Sequence, residues 1–185
     1  MTTFWWVRHG PTHQKALTGW RDAPADLSDR AALDRLAVYL PRDALVISSD
    51  LRRSVATADA IQRGRRRLPH DADLREFHFG EWDGKHFTEV AARDPQLSRA
   101  YWEDPGHHAP PGGESWFQAE ARVARAVARL PEARDIVVVA HFGVILAQLR
   151  LALGLSPAEV LAQKIDNLSV TRIAGGDVGP INHVV

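Results

Sequence analysis

Phe4-Trp5-Trp6-Val7-Arg8-His9-Gly10 is the stretch on which the fold turns. Four consecutive large apolar residues read as a strand buried on both faces, because a half-solvated strand would alternate with polar residues. The strand then ends in a guanidinium, an imidazole and a glycine. In an open α/β sheet the carboxyl ends of the strands are where ligands bind. A second run, Val137-Val138-Val139-Ala140-His141-Phe142-Gly143, has the same form. If the two strands run parallel, Arg8-His9 and His141 leave the sheet at one edge and both imidazoles face one crevice.

Working outward, strands are expected at residues 3–8, 44–49, 135–141 and 169–173, all rich in β-branched or aromatic residues. Helices are expected at 28–40, 51–62, 116–130, 143–153 and 157–163. Ser115 with Gln118, and Ser156-Pro157 with Glu159, read as capping boxes that start two of them. The alternation of β and α predicts an α/β protein: a three-layer α/β/α sandwich with a mostly parallel central sheet. The chain of 185 residues fits one domain, 1–185, able to bury a core without disulfides or structural metal.

Composition narrows the function classes. Lys+Arg 23 balances Asp+Glu 23, so the overall charge recruits neither nucleic acid nor an anionic membrane. The cluster Arg63-Gly64-Arg65-Arg66-Arg67 reads as a solvated basic loop after a helix. The apolar stretch 136–155 contains His141, Gln148 and Arg150, and reads as a buried strand and helix rather than a membrane span. With 0 cysteines there is no disulfide framework and no thiolate metal site. Met1-Thr2-Thr3 leads straight into the first strand without signal-peptide features, so a cytoplasmic protein is expected. His107-His108 are adjacent and lack clear partners, a poor metal site, so no metal or other cofactor is expected. The oligomeric state stays open, with a homodimer through an exposed strand edge as one outcome.

The donors around the crevice suit a dianionic phosphate. Arg53, after Ser49-Asp50-Leu51-Arg52, falls in the first turn of a helix, and Phe142 and Gly143 open another directly after His141. Two guanidinium forks, two imidazoles and two helix starts supply more positive potential than a neutral ligand needs. In phosphoryl transfer His9 would attack phosphorus through one neutral ring nitrogen while the other hydrogen-bonds, for instance to the Gly10 carbonyl. Arg8, Arg53 and a protonated His141 would hold the phosphoryl oxygens. Glu76 would protonate the leaving alkoxide, its pKa raised by the bound phosphate, and then activate the water that hydrolyses the phosphohistidine.

Taken in order, Arg8-His9-Gly10, Ser49-Asp50-Leu51-Arg52-Arg53, Leu74-Arg75-Glu76-Phe77-His78-Phe79-Gly80-Glu81-Trp82 and the His141 run resemble the histidine phosphatase superfamily, the phosphoglycerate mutase-like proteins. The resemblance implies a phosphorylated His9, a phosphate pocket of Arg8, Arg53 and His141, and an acid at Glu76, with Glu81 as the fallback. It also implies supplementary substrate contacts from Thr12 and from Thr18-Gly19-Trp20. The run 107–119, with Pro111-Gly112-Gly113-Glu114-Ser115, is similar in character to the α-ribazole and broad-specificity phosphatase branch. Pro11, Lys15 and Asp29-Arg30-Ala31 depart from the family pattern, and all three bear on the leaving-group side.

Between residues 77 and 114 periodicity fades and Pro95, Pro105, Pro110 and Pro111 punctuate short helical pieces, which reads as a substrate-side loop or cap. Trp82, Phe87, Tyr101 and Trp102 argue against disorder there, with Phe87 and Tyr101 expected to pack on the core. Trp20, Trp82 and Trp102 hint at a ring-bearing leaving group, and Glu114 reads equally as a substrate contact or as a helix-start carboxylate. The remaining histidines, His13, His70, His78, His86 and His183, are read as structural. The expected activity is metal-independent hydrolysis of a small phosphorylated metabolite. Two other readings are a mutase-like phosphoryl transferase and a noncatalytic phosphate-binding module.

Overall fold

The computed structural model describes residues 1–185. Strands β1 (Thr3–Arg8), β2 (Leu45–Ser48), β3 (Asp135–Ala140), β4 (Val170–Ala174) and β5 (Asp177–Val178) form one sheet in the order β2-β3-β1-β4-β5. The strands that matter for the site, β2, β3 and β1, are parallel, and β4 and β5 extend the sheet antiparallel. Register places Arg8 opposite Ala140, so His9 and His141 are the next residues on adjacent strands.

Helices cover both faces, as the alternation predicts. On one side the inward residues Ile136, Val138 and Ala140 pack with Trp6 against α5 (Trp116–Ala128) and α6 (Phe142–Leu153). On the other, Val137 and Val139 pack with Val7 against α1 (Arg30–Tyr39) and α2 (Arg52–Ile61). Because side chains alternate along a strand, a strand filling two cores must be apolar at every position, which accounts for the unbroken run in β3.

Both expected capping boxes are present. The Ser115 hydroxyl accepts from the Gln118 N–H while the Gln118 side chain accepts from the Ser115 N–H, and Ser156 and Glu159 do the same at the start of α7 (Pro157–Val160). The segment after Phe77 contains α3 (Phe87–Arg93) and α4 (Pro95–Glu103), packed on a small apolar cluster of Trp82, Val90 and Tyr101. Phe87 departs from expectation: it is exposed, on the outer side of α3. No helix is long and apolar enough to cross a membrane.

The basic loop after α2 is not simply solvated. Arg65 is buried, and its guanidinium donates to the carbonyls of Ala37, Leu40, Pro41, Ile61 and Gln62. Those are the unpaired carbonyls at the ends of α1 and α2, which no helix satisfies internally. Arg67 reaches Asp59 and the Ser48 hydroxyl. Two of the four arginines therefore clamp the helices to the sheet edge. Replacing Arg65 by Met keeps the apolar stem and orphans these carbonyls; thermal or urea unfolding is expected to show a loss of about 2–4 kcal/mol, against less than about 0.5 kcal/mol for the exposed neighbour Arg63→Met.

Candidate active site

Three parallel strands each deliver one group to the same end of the sheet. β1 delivers His9, β3 delivers His141, and the turn after β2 leads into α2 with Arg53 in its first turn. The His9 and His141 rings lie with centroids 5.2 Å apart. Arg8, His9, Arg53, Glu76, Phe142 and Gly143 line one cavity, with Thr12 and Thr18 contributing from the loop after β1.

The tautomer of His9 is set by its neighbours. Its Nδ1–H donates to the Gly10 carbonyl at 2.7 Å, a bond the sequence reading anticipates, so Nε2 carries the lone pair. Arg53 Nε–H donates to that Nε2 at 3.2 Å. Burial, with the Arg53 and Arg8 cations beside it, holds the His9 pKa down to about 3, so the ring is a neutral nucleophile across the working range. Two residues outside the motifs lock this turn. Thr57, one helical turn beyond Arg53, accepts from the Gly10 N–H and donates to the Arg53 carbonyl. The Asn167 side-chain amide donates to the His9 carbonyl.

Arg53 is also tied down, through Arg21 O at 2.8 Å and Gly19 O at 2.6 Å. Gly19, expected as a direct substrate contact, stands behind the cavity wall instead: its N–H is taken by Asp83 and its carbonyl by Arg53. The Thr18 hydroxyl donates to the Ala16 carbonyl while its side chain faces the cavity. Arg8 donates to the Ile165 carbonyl and lies over the Phe142 ring at 5.5 Å, with its Nε buried and without a protein partner.

His141 is not among the residues that line the cavity. Its ring is fully buried behind His9, with Nε2 bonded to the Ser49 and Ser54 hydroxyls and Nδ1 lacking a protein partner. Burial, reinforced by Arg53 and His9, pushes its pKa well below the ordinary imidazole value. In the unliganded pocket it is neutral rather than protonated, because the dianion that would repay an imidazolium is not there.

Glu76 is buried at the start of α6. Its Oε1 accepts from the Phe77 N–H at 3.0 Å and the Gly143 N–H at 3.1 Å. Burial nevertheless raises its pKa, with those N–H groups and Arg53 pulling the other way. The cause of the upward shift is therefore burial in the resting pocket, where the sequence reading looked to bound phosphate. Behind it Arg122 on α5 donates to the carbonyls of Asp73, Arg75 and Glu76, and pairs with Glu114, which also accepts from the His78 N–H. Trp20 adds an indole N–H to the Glu76 carbonyl at 2.8 Å. Glu114 is thus committed to this scaffold, outside the cavity lining. Glu81, the fallback acid, pairs with Arg93 on the surface.

The family model described as histidine phosphatase superfamily (branch 1) matches residues 4–183. A glucosyl-3-phosphoglycerate phosphatase of Mycolicibacterium vanbaalenii is 37% identical over 169 residues, covering 80% of this chain and 73% of the relative. An adenosylcobalamin/alpha-ribazole phosphatase of Escherichia coli is 32% identical over 169 residues, covering 85% and 81%. Among solved structures, the mycobacterial glucosyl-3-phosphoglycerate phosphatase Rv2419c with inorganic phosphate superposes with a TM-score of 0.82 at 30% identity, covering 99% of this chain and 98% of that one.

Gly143 offers a direct test of how tightly Glu76 is held. A Cβ at that position would stand 2.7 Å from Glu76 Oε1 and 3.0 Å from the Phe77 ring. Gly143→Ala is expected to displace the carboxylate and lower kcat for an aryl or alkyl phosphate by about 100-fold, while the inhibition constant of inorganic phosphate changes by less than about fivefold. Steady-state kinetics with product inhibition reads both.

Proposed function

This chain belongs to the histidine phosphatase superfamily, and we propose that its five converging side chains divide the work of phosphomonoester hydrolysis as follows. His9 Nε2 attacks phosphorus as the ester P–O bond breaks. Glu76, protonated, gives its proton to the departing alkoxide oxygen. The phosphoryl group is then on His9, with Nδ1–H still held by the Gly10 carbonyl. In the second half, Glu76 as carboxylate takes a proton from water, the water oxygen attacks phosphorus, and the P–N bond breaks to return neutral His9 and inorganic phosphate.

Arg8, Arg53 and His141 stabilise the charge on the phosphoryl oxygens. Arg53 Nε transfers its hydrogen bond from His9 Nε2 to a phosphoryl oxygen, which frees the attacking lone pair when substrate is present. The dianion raises the pKa of His141, so the ring takes up its proton on binding rather than beforehand. The observation that carries the reading is the pairing of two groups with opposite shifts in one cavity: an imidazole kept neutral, its Nε2 lone pair accepting from Arg53, and a buried carboxyl whose pKa is raised. Neither group needs a metal or cofactor for these roles.

The remaining assignments rest on the same reading. Residues 1–185 act as one catalytic domain, and 77–114 form its substrate-side cap. The substrate is a small phosphorylated metabolite, of which an α-ribazole-type phosphate is one. A cytoplasmic setting is proposed, consistent with the absence of cysteine.

The pH dependence tests the division of labour. With His9 neutral above about pH 3, nucleophile protonation does not limit turnover between about pH 4.5 and 9. Glu76, its pKa raised, keeps its proton further into that range than a free carboxyl and loses it as pH rises, so kcat falls on the alkaline side. Glu76→Gln is expected to lower kcat by about 100- to 10,000-fold and to abolish that alkaline limb, with chelator present throughout. An unchanged limb or unchanged turnover in the variant removes Glu76 from the mechanism, and retained phosphate binding without native turnover identifies a binding module.

A further inference from the structure

We infer that the site selects monophosphates of uncharged alcohols with an apolar or aromatic body, and excludes those whose leaving group bears a carboxylate or a second phosphate; the inference rests on the phosphatase reading above. The cavity is about 320 Å³, at the small end of the range for small-molecule sites, about 300–1,000 Å³. Its ionisable groups other than the Tyr101 phenol are all at the reaction end: Arg8, His9, Arg53 and Glu76. Beyond them the wall is Leu17, Phe79, Trp102, Pro105, Phe142 and Leu161, with only neutral polar contacts from Thr12, Gln14, Thr18 and Tyr101.

No Arg or Lys lines the cavity beyond Arg8 and Arg53, and four arginines outside it are already paired. Arg75 pairs with Asp50, Arg93 with Glu81, Arg122 with Glu114 and Arg150 with Glu120. His107 packs on Phe117 and His108 faces Asp104. Lys15 is exposed on the loop after β1 and does not line the cavity. A second anion on the substrate would therefore lose its water against apolar side chains, with no cation on that wall to compensate.

The same wall favours a ring. Of the three tryptophans singled out from sequence, Trp82 is fully buried and bonded to Asp94, and Trp20 is bonded to the Glu76 carbonyl against the Arg75 guanidinium. Trp102 alone lines the cavity, and it is 40% exposed. It stands edge-on to Tyr101, their centroids 4.8 Å apart, and the two present aromatic surface on α4 to an incoming group. Aromatic faces attract a flat apolar body and offer nothing to a carboxylate. The glucosyl-3-phosphoglycerate named for one relative carries a carboxylate, so this pocket is built for a different leaving group.

Three primary alkyl phosphates with similar leaving oxygens separate recognition from chemistry: ethyl phosphate, 2-phenylethyl phosphate and 3-phosphooxypropionate. The expected result is a kcat/KM about 30-fold higher for the phenylethyl ester than for the ethyl ester, and a value for the carboxylate ester below that of ethyl. Trp102→Ala is expected to shrink the phenylethyl-to-ethyl ratio to below about tenfold. Turnover that is equal on all three, or fastest on the carboxylate ester, overturns the inference while leaving the phosphatase reading in place. A ratio unmoved by Trp102→Ala overturns the assignment of the aromatic wall. Absence of turnover on all three overturns the phosphatase reading, and the inference falls with it.

Discussion

A dianion can be held only where positive potential is concentrated, and that concentration opposes folding until the dianion arrives. Two guanidinium groups and two imidazoles are gathered here at one end of a sheet, three of the four buried or nearly so. Three devices make the resting pocket tolerable. Both imidazoles stay neutral, since burial and the adjacent arginines disfavour their charged forms. The guanidiniums donate to main-chain carbonyls of Gly19, Arg21 and Ile165, whose dipoles offset part of the charge. Glu76 supplies one carboxyl group among them. The parallel register of β1 and β3 then fixes where all of this occurs, since it makes His9 and His141 neighbours.

The same constraint explains why so much of the scaffold is directed at backbone rather than at substrate. Arg122 does not reach the cavity, yet it holds the carbonyls of Asp73, Arg75 and Glu76 in the segment that carries Glu76. Glu114 neutralises it and ties the 78 region to the start of α5. In the proposed mechanism the Glu76 carboxyl changes protonation state, and a permanent ion pair of its own would fix its charge. Holding its main chain instead leaves the side chain free to titrate. Gly143 completes the arrangement by leaving room for the carboxyl against the first turn of α6.

Much of this was legible in the sequence wherever the information is local. The apolar runs of β1 and β3, the two serine capping boxes and the His9 bond to the Gly10 carbonyl each depend on residues within a few positions of one another. That Arg8, His9, Arg53, Glu76, Phe142 and Gly143 line one cavity is readable because each stands at the end of a strand, the start of a helix or within a spaced motif. Arg122, Thr57 and Asn167 are not readable in this way, since their partners lie 46, 47 and 158 positions away. The burial of Arg65 is not legible because a basic run has the same composition whether its guanidiniums meet water or helix-end carbonyls. The charge of His141 was likewise beyond sequence, being a property of burial and of neighbours brought together only by the fold. β5, at two residues, is too short to show a periodic pattern.

The central claim is that His9 Nε2 carries the phosphoryl group, because Nδ1–H is held by the Gly10 carbonyl. It is tested most directly by quenching the enzyme in alkaline denaturant during turnover of phenyl phosphate, then digesting it under alkaline conditions and locating the phosphate by mass spectrometry and ³¹P NMR. The account predicts a single acid-labile, base-stable phosphohistidine at His9, substituted at Nε2. Phosphate on Nδ1 of His9 or on His141, or full turnover with no phosphoenzyme formed, would contradict it.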